Sequence, residues 1–197
     1  MNEMNTKSDT TWDIDVETCK NVLNSVKSIL VEKNKRYGNS ALEPINVFYK
    51  GNASNSILIR LDDKLSRIKN SSALRKNDLY DLLGYCLLLL VSFDNSNTSF
   101  EEKVHTRIKQ IESDYVNGVI RVNKYLGDEP YPKTGCLYDG FSKTNNVDTP
   151  IIKSLNGVCS DIKQHDIIHE HLIQRLINFL IVYFIQNGIT DFSDLID

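Results

Sequence analysis

The sequence predicts a mainly α fold. It is read as one helical bundle over residues 13–197, after a flexible polar N-terminus of residues 1–12, with a long loop-rich insertion before the last helix. Two observations carry this. Apolar residues return at three- and four-residue spacing through successive stretches, the mark of amphipathic helices. One segment, 127–161, breaks that rhythm with Gly, Pro, Asn and Asp, and it is too long for an idle connection.

Val16, Cys19, Leu23, Val26 and Leu30 set a first helix from Asp15 to about Arg36, with Gly38 as its stop. "ALEPINVFYKGNAS" is a connection carrying Pro44 and Gly51, and Asn55 or Ser56 is the expected cap of a second helix running to about Lys69. "NSSALRKN" turns the chain. Asn77 or Asp78 is then expected to cap a third helix through Leu90 to about Phe93. Val104, Ile108, Ile111, Tyr115, Val119, Val122 and Leu126 keep a helical stripe going from about Phe100, with Gly118 as a point of bending or interruption. The insertion 127–161 is expected to be a lid or binding loop, or to hold short strands. Ser160 or Asp161 opens a last long helix to about Gln186, stopped by Asn187 and Gly188.

A chain of 197 residues can bury a core without disulfides. With 41% hydrophobic and 25% charged residues and a net charge of −3, it lacks the basic surplus of a general nucleic-acid binder, so no nucleic-acid polymer is expected as a partner. The longest apolar run, "LIQRLINFLIVYFI", is interrupted by Gln174, Arg175 and Asn178 and is short for a membrane span. The N-terminus lacks a signal peptide's apolar core, and a cytoplasmic protein is expected. Cys19, Cys86, Cys136 and Cys159 form no CxxC pair and no zinc-finger spacing, so they are read as buried free thiols.

The chemistry gathers in "ILIRLDDKLSRIKNSSALRKNDLYDLLGYCLLLL", Ile57 to Leu90. At 100° per residue, the seam of the first helix, continued past Leu30, meets Lys33, Asn34 and Tyr37. On the second helix Arg60, Asp63, Lys64 and Arg67 fall in a stripe about 100° wide, beside Ile57, Leu61, Leu65 and Ile68. On the third, Asp78, Asp81 and Tyr85 share a stripe about 60° wide on a helix apolar nearly all round. A carboxylate on such a helix has to be paired, protonated or bound to a cation. Asp78 and Asp81, one turn apart, could hold Mg²⁺ with Asp63 from the neighbouring helix, one Asp serving as base for a metal-activated water. Lys33, Arg60, Lys64 and Arg67 would then meet phosphates, and Tyr37 or Tyr85 would stack on a base. The structural alternatives are an i,i+4 pair of Asp63 with Arg67, Asp78 as the helix cap, and Asp81 neutralised by Arg60 or Lys64.

"EKNKRYGNS", "IRLDDKLSRIKN" and "NDLYDLLGYCLLLL" together resemble the nucleotide modification associated domain of many bacteriophage proteins, itself similar to the all-α MazG-like nucleotide pyrophosphohydrolases. The resemblance spans about residues 16–93. It rests on Lys33, Tyr37, Gly38, Asn39 and Ser40, on Asp63, Lys64 and Arg67, and on Asp78 and Asp81 followed by Tyr85. It implies a MazG-like bundle, a nucleotide-binding core in which Asn39 joins the ligand residues, and Mg²⁺ held by acidic groups. Typical MazG-like enzymes carry ExxE on one helix and ExxD on the next. Here the second element is present as Asp78 and Asp81, but the first is missing, since Glu32 points away from the seam and Asp62 and Asp63 are adjacent.

Two functions follow as expectations: Mg²⁺-dependent hydrolysis of a nucleoside triphosphate or modified nucleotide, placed slightly ahead, and a non-catalytic phage protein that sequesters a nucleotide-derived immune signal. The resemblance further implies self-association and, for a phage protein, a bacterial host cytoplasm. It leaves 94–197 as a helical elaboration. There, "HDIIHEH" places His165, His169 and His171 on the expected last helix, with an i,i+4 pair that can ligate zinc but without HExxH order.

Overall fold

The protein, seen in a computed structural model, is described over residues 16–48, 50–71, 75–116, 150–165 and 167–195. The described residues hold no strand and form six α-helices: α1 Val16–Tyr37, α2 Ala53–Asn70, α3 Lys76–Ser92, α4 Phe100–Val116, α5 Pro150–Lys163 and α6 Glu170–Gln186. A single 3₁₀ turn, Ser193–Leu195, follows.

The central element is α3, which packs against α1, α2, α4 and α6. That surround explains why twelve of its residues are buried and why its sequence is apolar on every side. α1 lays the seam of Cys19, Val22, Leu23, Val26, Ile29 and Leu30 into the core. α2 buries Ile57, Leu61 and Ile68, packs Leu58 and Leu65 partly against the core, and leaves Asp62 and Asp63 exposed. α4 opens with a capping box that the sequence "SFEE" encodes: the Ser99 amide donates to Glu102 Oε2 (2.9 Å) and the Glu102 amide to Ser99 Oγ (3.3 Å).

Several expected boundaries move. Helix α2 is capped by Asn52, whose side chain accepts from the Asn55 amide at 2.8 Å, so Asn55 and Ser56 lie inside the helix. Asp78 does not cap α3. Arg75 holds the cap position without a side-chain bond, and Asp78 sits buried in the first turn. The part of the expected loop from Pro150 to Asp161 is helical, with Pro150 at the first helical position, where its missing N–H costs nothing. Residues 127–149, and the stripe expected past Val116, lie outside the described residues.

The expected long helix from Ser160 to Gln186 is two helices, because α5 ends at Lys163 and α6 begins at Glu170. The break lets the apolar stripe of Leu155, Val158 and Cys159 face that of Leu172, Ile173 and Leu176 across a helical hairpin, which one straight helix could not do. Arg175 and Asp161 clamp the hairpin at 2.6 Å. Among the described residues no helix is long and apolar enough to cross a membrane. Cys19, Cys86 and Cys159 are buried free thiols as expected, and burial pushes Cys19 and Cys159 up to about 12; Cys136 lies outside the described residues.

The stop at Asn187 and Gly188 is as expected. Gly188 adopts φ +67°, its amide donates to Ile185 O (3.0 Å) and the Ile189 amide donates to Phe184 O (2.8 Å), the paired bonds of a Schellman motif. This reversal sends residues 189–195 back across the bundle as a strap. The Phe192 amide donates to Ser25 Oγ (3.0 Å), the Ser25 hydroxyl donates to Asp191 Oδ1 (3.3 Å), and the Phe192 ring is fully buried.

Asp191 makes the mooring acid-sensitive. Its carboxyl is held below the usual carboxylate range, first by the Ser193 hydroxyl and then by the Ser193 amide. A depressed pKa contributes stability that is present above the unfolded value, about pH 4, and is lost as pH falls through the folded value. Hydrogen-exchange protection of the Phe192 amide is therefore expected to hold from neutral pH to about pH 4 and to fall in stronger acid. Protection that declines first on the alkaline side would contradict this.

Candidate functional site

Where the polar C-terminal end of α1 and the middle of α2 meet α3, the bundle opens into a cavity of about 420 Å³. α1 supplies Leu30, Lys33, Asn34 and Tyr37, residues at i, i+3, i+4 and i+7 that share one face. α3 supplies Tyr80, Asp81, Gly84, Tyr85 and Leu88, again one stripe. Arg60 comes from α2, Phe100 from the start of α4 and Leu195 from the strap. The turn after α1 closes one wall with Gly38, Ser40 and Ala41, and Gly38 takes φ +63°, a backbone state open to glycine at little cost.

Charge in the cavity is organised in cation–aromatic pairs. Lys33 Nζ stands 5.3 Å from the centroid of Tyr80, and the Arg60 guanidinium 5.9 Å from that of Tyr85. Asp81 is partly buried and bound to Lys64 Nζ at 2.8 Å, while Lys33 lies 3.9 Å from its other oxygen. That second distance exceeds a hydrogen bond, so Lys33 is attracted to Asp81 without being locked to it. The Lys64 side chain is only 12% exposed, so the Lys64–Asp81 pair is the structural alternative expected for Asp81. Tyr80 is buried and its hydroxyl has no hydrogen-bond partner. Burial, and secondarily the Asp81 charge, raises its pKa, so the phenol stays protonated.

The expected carboxylate trio does not assemble. Asp78 is 1% exposed and turns to Arg75 (2.8 Å) and Arg67 (3.6 Å), away from Asp81 and its lysines. Asp63 stands exposed in a separate shallow hollow with Ser66, Arg67 and Arg75. Arg67 therefore pairs with Asp78 and not with Asp63. Among the described residues no group of three or more His, Cys, Asp or Glu side chains is placed to hold a metal ion. The donor set expected for Mg²⁺ does not fit, because two of its three members are engaged by cations and the third lies elsewhere.

Of the expected ligand residues, Lys33, Asn34, Tyr37, Arg60 and Tyr85 line the cavity, and Lys64 reaches it through Asp81. Arg67 does not. Neither does Asn39, whose amide donates to Glu43 Oε1 at 2.7 Å and whose backbone carbonyl ties the turn after α1. Tyr80, Leu88, Phe100 and Leu195 were not expected. Gly84 lies against Leu30 of α1, the close approach of the two helices that brings their stripes to one cavity. His165 lies in the α5–α6 connection, His169 at the cap of α6 and His171 in its first turn, all exposed, with ring centroids 5.7 to 6.4 Å apart. They are remote in sequence from every cavity-lining element but the strap. Neither a protein-family model, nor a curated protein, nor a solved structure matches the chain.

Proposed function

We propose that this protein binds a nucleotide or nucleotide-derived small molecule in the cavity between α1, α2 and α3, without hydrolysing it. The observation that carries the reading is the pairing of each free-reaching cation with an aromatic wall: Lys33 over Tyr80 and Arg60 over Tyr85. Such a site offers two cations to phosphate oxygens, the rings of Tyr37 and Tyr85 to a base, and the Asn34 amide as a further polar contact. A volume of about 420 Å³ is in the range of small-molecule sites. The state of the carboxylates supports binding over hydrolysis. Asp81 is occupied by Lys64, and Asp78 and Asp63 are elsewhere, so among the described residues no acidic cluster is in place to hold Mg²⁺ beside a phosphorus atom.

Asp81→Asn separates the two functions. In a binder, the change removes a negative charge beside Lys33, so affinity for a phosphate ligand is expected to hold or rise, while Lys64 loses its partner and the melting temperature falls. In a Mg²⁺-dependent hydrolase the same change abolishes turnover. The protein is incubated with ribonucleoside and deoxynucleoside triphosphates and with cyclic and ADP-ribose-type nucleotides, each with Mg²⁺ and with chelator. Affinity is then read by calorimetry and products by chromatography. Stoichiometric uptake, insensitive to chelator and with the ligand released intact on denaturation, is the expected result. Multiple turnovers lost in Asp81→Asn would overturn it.

A further inference from the structure

We propose that the strap after α6, residues 189–195, is a positioning element of the cavity, and that Phe192 is the residue that sets Tyr80 and, through it, Lys33. The inference rests on reading the cavity as a ligand site, but its first test needs no ligand.

The Phe192 ring is wedged between Tyr80 (centroids 5.1 Å apart) and Phe184 (4.8 Å), with Lys76 Nζ 5.5 Å from its own centroid. Tyr80 in turn carries Lys33 on its ring. A buried tyrosine is ordinarily fixed at both ends, by packing of the ring and by a hydrogen bond from the hydroxyl. Tyr80 lacks the second anchor, so packing alone holds its ring, and Phe192 is a large part of that packing. Three residues further on, Leu195 forms part of the cavity wall itself. The strap is fastened on both sides of this contact, by Ser25 before it and by Asp194 on Lys76 after it. A segment that joins the wall directly, and also props the residue beneath the ligand cation, couples its own docking to ligand affinity.

The test uses the full chain with lysine amines reductively methylated with ¹³C, and the Lys33 resonance identified by its loss in Lys33→Arg. The ring field of Tyr80 displaces that resonance. Phe192→Ala is expected to move it toward the position of a solvated lysine while leaving Lys20, at the far end of α1, unchanged, and Phe192→Leu is expected to fall between. Ser25→Ala loosens the strap without opening a core cavity and is expected to give the same direction of change, which keeps the test decisive if Phe192→Ala fails to fold. ATP binding, where the parent shows it, is expected to weaken about tenfold in the Phe192→Ala or Ser25→Ala protein. An unmoved Lys33 resonance in folded variants would overturn the positioning role. A moved resonance in a protein that binds none of the nucleotides would instead retire the proposed function and keep the strap.

Discussion

Removing Arg67 and Arg75 together, as Arg67→Ala with Arg75→Ala, should cost about 3 kcal/mol of folding stability, read as a fall in the urea midpoint. Asp78 is 1% exposed and one of its oxygens has no hydrogen-bond partner, so the two guanidiniums are what make its charge tolerable. Its place in the first turn of α3 softens the loss by about 0.3 to 1 kcal/mol. The reverse change, Asp78→Asn, should cost well under half as much. It strands no charge, since Arg67 and Arg75 are about half exposed and water can solvate them. Equal losses in the two experiments would mean that the carboxylate contributes something beyond its ion pairs.

The largest effect on binding is expected from the cavity cations. Lys33→Ala and Arg60→Ala should each cost about 1.5 to 3 kcal/mol of ligand affinity, the worth of a charge-assisted hydrogen bond, or roughly ten- to a hundredfold in Kd. Neither is a core residue, so the melting temperature of the unliganded protein should barely move. Lys33→Arg should keep much of the affinity if phosphate recognition is by charge. Arg67→Ala, two turns further along α2 and paired with Asp78 outside the cavity, should leave affinity unchanged, although it shares a stripe with Arg60. Comparable losses at Arg67 and Lys33 would displace the site from this cavity.

That contrast shows where the sequence stops being legible. The α1 face was readable because Leu30, Lys33, Asn34 and Tyr37 are fixed on one side by helix geometry alone. The burial of α3 was readable from its unbroken apolar pattern. Which cation meets which carboxylate was not. Asp78 and Asp81 sit one turn apart, and the reach of long Arg and Lys side chains decided that they serve different pairs. The α5–α6 break was hidden because residues 164–169 contain neither Gly nor Pro; packing of two apolar stripes imposed it. Tyr80 read as ordinary core, and Leu195 reaches the cavity from the far end of the chain, a contact that no local pattern encodes.

The strap also fixes when the protein can finish folding. Ser25 finds Asp191 across 166 residues, and α1 packs chiefly on α4 and α6 rather than on the helix that follows it. At ribosomal speed the interval between the two is on the order of ten seconds. Throughout it, Val22, Leu23, Val26 and Ile29 lack part of their final cover, an apolar seam open to wrong partners. A closure of such long sequence separation is slow for its size. Fusion or slowed translation that delays α6 should therefore lower the soluble yield more than the same disturbance placed between α1 and α3.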